Sequence, residues 1–377
     1  MTLGPVVEIV AVVAANLFIA WLAAYALHST LLVVAAAAVD RRVRLAAADR
    51  ASLWRLALIG PCVTSVAQVI ARAASHEPGG TPAAALASTL GTRPGVAAAI
   101  ATAGAALLPT ALLLALLGAW RLRRTLGTRA PASGEHAALV ARLAPGRRRV
   151  RVTTSARVPA PAAIGTDEIC LPEPYFASLG VAEREALLAH ELAHLARRDP
   201  AWLALGTLVA RLLPFQPLNR VALRRLRDAT EHAADDWAVR RTGDRLALAR
   251  ALGALAALLV RAPVGTSAAG GTLVVRVERL LRAPARAAAI PRAARLALGA
   301  ATLGIATLAP GLGVSGDRAA NAIPWNAPSR EEPNARMLEV RAWERARRDR
   351  LRGRPTGWSD LARAIERELA EAYSTPR

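Results

Sequence analysis

The chain has 377 residues, 54% of them hydrophobic and only 4% aromatic, and its 49 basic against 28 acidic residues give a formal net charge of +21. This composition excludes a disordered or fibrous protein, and two cysteines exclude a disulfide scaffold or a cysteine-rich metal cluster. All the basic residues are arginine, which excludes chemistry that needs a lysine, such as a Schiff base, a Walker P-loop or Ser-x-x-Lys acylation.

The first predicted element is a long apolar segment, residues 6–39, in which Glu8 and His28 are the only ionisable groups. A spanning helix needs about 20 apolar residues, so we predict one tilted span here. A cleaved signal peptide is not expected, because the N-terminal end has no basic residue. Further apolar runs predict spans over residues 53–74, 95–120 and 293–313.

The charges between these spans predict their orientation. Residues 40–55 contain five Arg and two Asp, a net charge of +3, and residues 121–160 contain ten Arg and one Glu, a net charge of +9. Residues 75–95 are neutral. The positive-inside rule therefore places the two basic segments in the cytoplasm and the tail, residues 314–377, outside. Because the excess charge lies beside spans, it favours membrane topology over binding of nucleic acid.

Residues 126–292 are predicted to form a soluble domain between the third and fourth spans. Val150, Val152 and Val158 alternate with polar residues, which indicates strands, and residues 169–171 have the composition of a short buried strand. Helix signals follow at residues 182–198, where acidic residues occupy the first turn, and again at about residues 219–241.

The first of these helices contains the motif His-Glu-Leu-Ala-His at residues 190–194. Residues four apart lie on one helix face, so both imidazoles can bind the same ion. Glu191 lies about 100° from His190 and about 60° from His194 around the helix axis. It can therefore stand beside a zinc ion and accept a proton from water without being a ligand. The alternative is an amphipathic helix with two surface histidines. It is less favoured, because two of only six His in the chain stand at the spacing of zinc ligands around a Glu.

A catalytic zinc site usually has three protein ligands, and the third must come from elsewhere in the chain. Arg197 and Pro200 stand where a three-histidine motif needs Gly and His. The second helix carries Glu231 and, one turn later, Asp235. We expect Glu231 to be the third ligand and Asp235 to accept the free N–H of a ligand imidazole. His232 is the competing ligand and is otherwise expected beside the site, because it points about 100° away from Glu231.

Four further residues that could carry chemistry have predicted roles outside the set of zinc ligands. Asp199 is expected to end one helix and cap the next. Cys62 and Cys170 are expected to be small apolar fillers in a span and a buried strand. His28, inside the first span, is a functional candidate by default, or a neutral histidine with a partner on another helix.

These motifs resemble the BlaR/MecR-type integral-membrane metallopeptidases, metallopeptidase family fifty-six. Residues 182–199, with the sequence AEREALLAHELAHLARRD, resemble the family's zinc helix. Residues 158–172 resemble the strand pair before that helix, and residues 215–235 resemble the second zinc helix. The resemblance covers about residues 5–312 and includes the order of three spans, zinc domain and fourth span.

The resemblance implies a mainly α membrane protein with four transmembrane helices and a cytoplasmic α+β domain of the gluzincin-like zinc metallopeptidase type. His190, His194 and Glu231 would bind one Zn²⁺, and Glu191 would be the general base. In such folds an extended substrate pairs with an edge strand, which we expect within residues 159–165.

The function implied is that of a membrane zinc endopeptidase whose substrate is a protein, such as a transcriptional repressor or the protease itself, in signal transduction. The alternatives are a housekeeping quality-control protease and a receptor or scaffold with a structural zinc site. The lipid bilayer is an expected partner, nucleic acid is not, and a homodimer stays open. The short tail and the absence of lysine exclude the penicillin-binding sensor domain of the best-known members.

Overall fold

The computed structural model describes residues 4–75, 94–144, 150–260 and 267–282. This part of the chain contains eleven helices and one sheet of four short strands. The helices are α1 (Gly4–Arg42), α2 (Ala47–Ser75), α3 (Pro94–Ala105), α4 (Leu107–Leu126), α5 (Gly134–Leu143), α6 (Glu173–Ala177), α7 (Val181–Arg197), α8 (Asp199–Leu212), α9 (Leu218–Thr242), α10 (Arg245–Val260) and α11 (Ser267–Leu281). The strands are β1 (Ala130–Pro131), β2 (Arg151–Thr154), β3 (Ala162–Ile164) and β4 (Glu168–Leu171).

Three helical segments are long and apolar enough to cross a membrane: Val10–Arg42, Ala47–Ile70 and Gly95–Leu126. They overlap the first three predicted spans. The third of them consists of α3 and α4, and none of the residues in its most apolar stretch is buried, as expected of a surface solvated by lipid. The predicted fourth span, residues 293–313, and the predicted tail, residues 314–377, lie outside the described residues.

The sheet has the strand order β1-β2-β4-β3, in which β2 and β4 are parallel and the other two pairs are antiparallel. The buried strand predicted at residues 169–171 is confirmed as β4. The prediction for Val158 is wrong: β2 ends at Thr154, where the hydroxyl of Ser155 donates a hydrogen bond to the carbonyl of Leu126 (2.6 Å) and the chain leaves the sheet. Among the described strands β3 pairs only with β4, so it forms an edge.

Helix α7 lies at the centre of the fold, and its residues 186–195 are all buried. Leu188 and Leu192 are fully buried in a hydrophobic cluster that also contains Ile169 of β4, Phe176 of α6 and Leu248 of α10. Burying a leucine side chain stabilises a fold by about 1.5–3 kcal/mol. This packing holds the predicted zinc helix rigidly against the sheet and α10.

A second hydrophobic cluster joins the membrane helices to the helices that follow α7. Trp54 and Leu58 of α2 pack with Leu223 and Leu226 of α9. Helix α2 also approaches α8 closely, because a Cβ atom added at Gly206 would lie 2.6 Å from Cδ2 of Leu58. The first two membrane helices and the helices α8 and α9 of the predicted soluble segment therefore share this second cluster.

Candidate metal centre

The structure brings His190, His194 and Glu231 together, and this group can bind a metal ion. The two Nε2 atoms of the histidines on α7 are 3.1 Å apart. The carboxylate of Glu231, on α9, lies 3.5 Å from Nε2 of His190 and 3.7 Å from Nε2 of His194. Both histidines are buried, and Glu231 is 37% exposed.

The spacing of these donor atoms fits a tetrahedral metal ion. Zinc bonds of about 2.0–2.1 Å at tetrahedral angles separate the ligand atoms by about 3.3 Å. The separations of 3.1, 3.5 and 3.7 Å lie on both sides of this value. Two histidines and one glutamate are a known hydrolytic zinc set that leaves a fourth position for water or substrate.

Two buried carboxylates orient the ligand imidazoles. Asp199 accepts a hydrogen bond from Nδ1 of His194 at 2.8 Å, and Asp235 lies 3.1 Å from Nδ1 of His190. An ionised carboxylate can only accept, so each Nδ1 carries a proton, and with a metal bound each Nε2 would offer its lone pair to the ion. Asp235 lies where the sequence predicted it. The prediction that Asp199 caps α8 is wrong: Arg198 is the N-cap, Asp199 is the first residue of the helix, and its carboxylate is bound by His194, Arg197 and Arg55.

Arg276 of α11 is a site residue that sequence reasoning did not find. Its guanidinium lies 2.8 Å from Glu231 and donates to Asp235 at 2.6 and 3.0 Å. Burial would raise the pKa of both carboxyl groups, but the charge of Arg276 and the contact with His190 outweigh it and hold both pKa values well below their usual range. No motif surrounds Arg276 in the sequence, so only the tertiary structure reveals its role.

Glu191 and His232 occupy different positions relative to the ligands. Glu191 directly follows His190 on α7, its side chain is buried, and its charge acts on Arg276. His232 is half-buried and is not part of the metal-binding group; burial, followed by the charge of Arg279, lowers its pKa. Glu231 rather than His232 therefore faces the histidines.

The pKa of His190 gives the metal-free protein a pH-dependent stability. Burial and Arg276 oppose protonation of the imidazole, but hydrogen bonds to Asp235 and Glu231 outweigh them and raise its pKa from 6.5 to about 9. Because the folded-state pKa is the higher one, this contribution to stability is complete below pH 6.5 and is lost as the pH rises through about 9.

We therefore expect the unfolding temperature of the chelator-treated protein to fall between pH 6.5 and pH 9. A His190→Gln variant should lose this dependence, since it has no imidazole to titrate. His136→Gln, on α5 and outside the metal-binding group, should keep it. An unfolding temperature of the wild type that rises over this interval would contradict the expectation.

The spans, the fold and the metal-binding group define a membrane-associated protein of the metallopeptidase class. The family model of the BlaR1 peptidase M56 matches residues 2–277, and the chain belongs to this family of membrane metallopeptidases. The matched region includes α1 to α10 and extends through Arg276 of α11. A search of curated proteins finds no match.

Proposed function

We propose that this protein is a zinc-dependent endopeptidase embedded in the membrane. The observation that carries the proposal is the tetrahedral spacing of the His190, His194 and Glu231 donors beside a buried Glu191. A zinc ion held by these three residues would supply a Lewis acid that polarises a peptide carbonyl and lowers the pKa of water. In this reading Asp199 and Asp235 keep the imidazoles in the tautomer that ligation requires.

Glu191 has the position of the general base. Its carboxylate accepts a proton from the attacking water and passes it to the amine of the leaving peptide. Glu191 belongs to the same helix as both histidines but is not one of the grouped donors, so its oxygens stay available for proton transfer.

The substrate is proposed to be an extended polypeptide that pairs with β3. This strand lies at the edge of the described sheet and contacts α7, so a peptide added beside it would pass near the metal centre. Pro159 and Pro161 precede β3, and its three residues keep their backbone N–H groups. A protein substrate, rather than a small molecule, fits such an edge.

The metal centre is proposed to lie on the cytoplasmic side. Arg41 and Arg42 end α1, and Arg123 and Arg124 lie in the last turn of α4. The basic end of α1 precedes α2, which contacts the predicted soluble domain, and the basic end of α4 leads directly into that domain. Basic residues at these ends of the spans support the positive-inside orientation. On that side the natural substrate is a cytoplasmic or juxtamembrane protein, and we propose regulatory cleavage of a repressor or of the protease itself.

The purified 377-residue chain in detergent should cleave an unfolded, casein-type substrate. Chelation should abolish cleavage and added zinc should restore it, because His190, His194 and Glu231 need the ion to act on a carbonyl. Product peptides resolved by mass spectrometry are the measurement. A zinc-loaded protein that cuts nothing would favour a structural metal site instead. Comparing the proteins cut in cells by wild type and by Glu191→Gln then separates one regulatory substrate from general quality control.

A further inference from the structure

Arg55, in the third turn of the membrane helix α2, contacts the carboxylate that orients a ligand histidine. Its Nη2 donates to Oδ1 of Asp199. The other oxygen, Oδ2, accepts from Nδ1 of His194 at 2.8 Å and from Arg197. The two oxygens of Asp199 are thus divided between a membrane helix on one side and the metal ligand on the other.

Asp199 depends on these cations because it is only 1% exposed. A buried carboxylate that lacks water must be neutralised and hydrogen-bonded by neighbouring groups. Arg197 comes from the same chain turn and is also bound to the carbonyl of Thr230 at 2.9 Å. Arg55 lies 144 residues away in sequence, so its contribution depends on how α2 packs.

The packing of α2 against α8 fixes Arg55 in this position. Its guanidinium lies over the ring of Trp202, 5.4 Å from the centroid. One turn further along α2, Leu58 lies against Gly206, where a Cβ atom would be 2.6 Å from Cδ2 of the leucine. Two successive turns of α2 therefore follow α8 at close range, and the arginine side chain has little freedom to leave Asp199.

We propose that Arg55 is a positioning residue for the metal centre, which acts on His194 through Asp199. The metallopeptidase site is then completed by a membrane helix, and a displacement of α2 along α8 would withdraw the guanidinium from Asp199 and loosen a metal ligand. A movement of α2 within the membrane would thereby change the affinity of the site for the metal. The activity part of this inference rests on the proposed peptidase function, whereas the metal-binding part does not.

The test is the zinc affinity of the 377-residue chain in detergent, measured by competition with a chromophoric chelator. Changes in groups that orient a metal ligand typically weaken binding or activity about 10–100-fold, and we expect Arg55→Gln to weaken zinc binding about 10-fold. Arg55→Lys keeps the positive charge but not the planar fork, so it should recover part of this loss. Arg50→Gln is the matched control, because Arg50 lies on the same helix and pairs with Asp40. It should bind zinc like the wild type.

A double-mutant cycle shows whether Arg55 acts through Asp199. In an Asp199→Asn background, Arg55→Gln should cause no further loss of zinc affinity, since the intermediary carboxylate is already gone. In the active enzyme Arg55→Gln should lower kcat and leave KM unchanged, because Arg55 contacts Asp199 and Trp202 rather than the proposed substrate strand β3. Equal zinc affinities of Arg55→Gln and Arg50→Gln, or fully additive losses in the cycle, would overturn the proposal. A wild type that binds zinc but cleaves no peptide would instead overturn the proposed function, and the affinity measurements would still decide the role of Arg55.

Discussion

Replacing Glu191 with glutamine is expected to lower kcat for peptide cleavage by about 10²–10⁴-fold, the usual contribution of a general base. The amide has nearly the same size and shape as the carboxylate, but it cannot accept the proton of the attacking water. Glu191 is buried on α7 and is not one of the three grouped donors. The variant should therefore fold and bind zinc like the wild type, whereas its rate of peptide cleavage should fall by this factor.

The matched control is Glu185→Gln. Glu185 lies on the same helix, is 34% exposed, and pairs with Arg142 at 3.7 Å, away from the metal-binding group. Its replacement should leave kcat within the error of the assay. Zinc content and peptide products should be measured on the same preparations of both variants. Cleavage by Glu191→Gln at the wild-type rate would show that another group accepts the proton.

Replacing Arg276 with glutamine is expected to have the largest effect on stability. The guanidinium is 9% exposed and pairs with the fully buried Asp235 and with Glu231. Removing one partner from a buried ion pair leaves an uncompensated charge and typically costs about 3–5 kcal/mol. A loss of this size in the free energy of unfolding of the metal-free protein should be measurable by denaturant titration in detergent.

Arg282→Gln, at the residue directly after the same helix, is the control for Arg276. Arg282 is 78% exposed and pairs with Glu278 one turn away, and exposed pairs of this kind contribute about 0–1 kcal/mol. Zinc should reduce the difference between Arg276→Gln and the wild type, because the ion supplies positive charge to Glu231. If Arg276→Gln and Arg282→Gln unfold at the same denaturant concentration, Arg276 does not neutralise the site.

Local periodicity explains why part of the site could be predicted from the sequence. Two residues four apart on a helix share a face wherever the helix is, so the pairs His190 with His194 and Glu231 with Asp235 follow from spacing alone. Their helices were visible as well: α7 and α9 begin and end within one residue of the helices predicted over 182–198 and about 219–241.

Tertiary packing decides the rest, and no local pattern encodes it. Arg276 reaches Asp235 across 41 residues, and Arg55 reaches Asp199 across 144. In sequence, Arg55 is an interruption of an apolar run and Arg276 is one arginine among 49 basic residues. Only the packing of α2 on α8 and of α11 beside α9 turns these two arginines into neighbours of the metal-binding group.

The position of Arg276 late in the chain has a consequence for biosynthesis. Proteins are made from the N-terminus, so α2, α7 and α9 leave the ribosome before α11 does. Glu231 and Asp235 are therefore synthesised at least 41 residues before Arg276, and until then their carboxylates lack this arginine as a partner. The metal centre cannot reach its described geometry until residue 276 has been made. The three spans before residue 127 therefore leave the ribosome before the metal-binding group has its arginine.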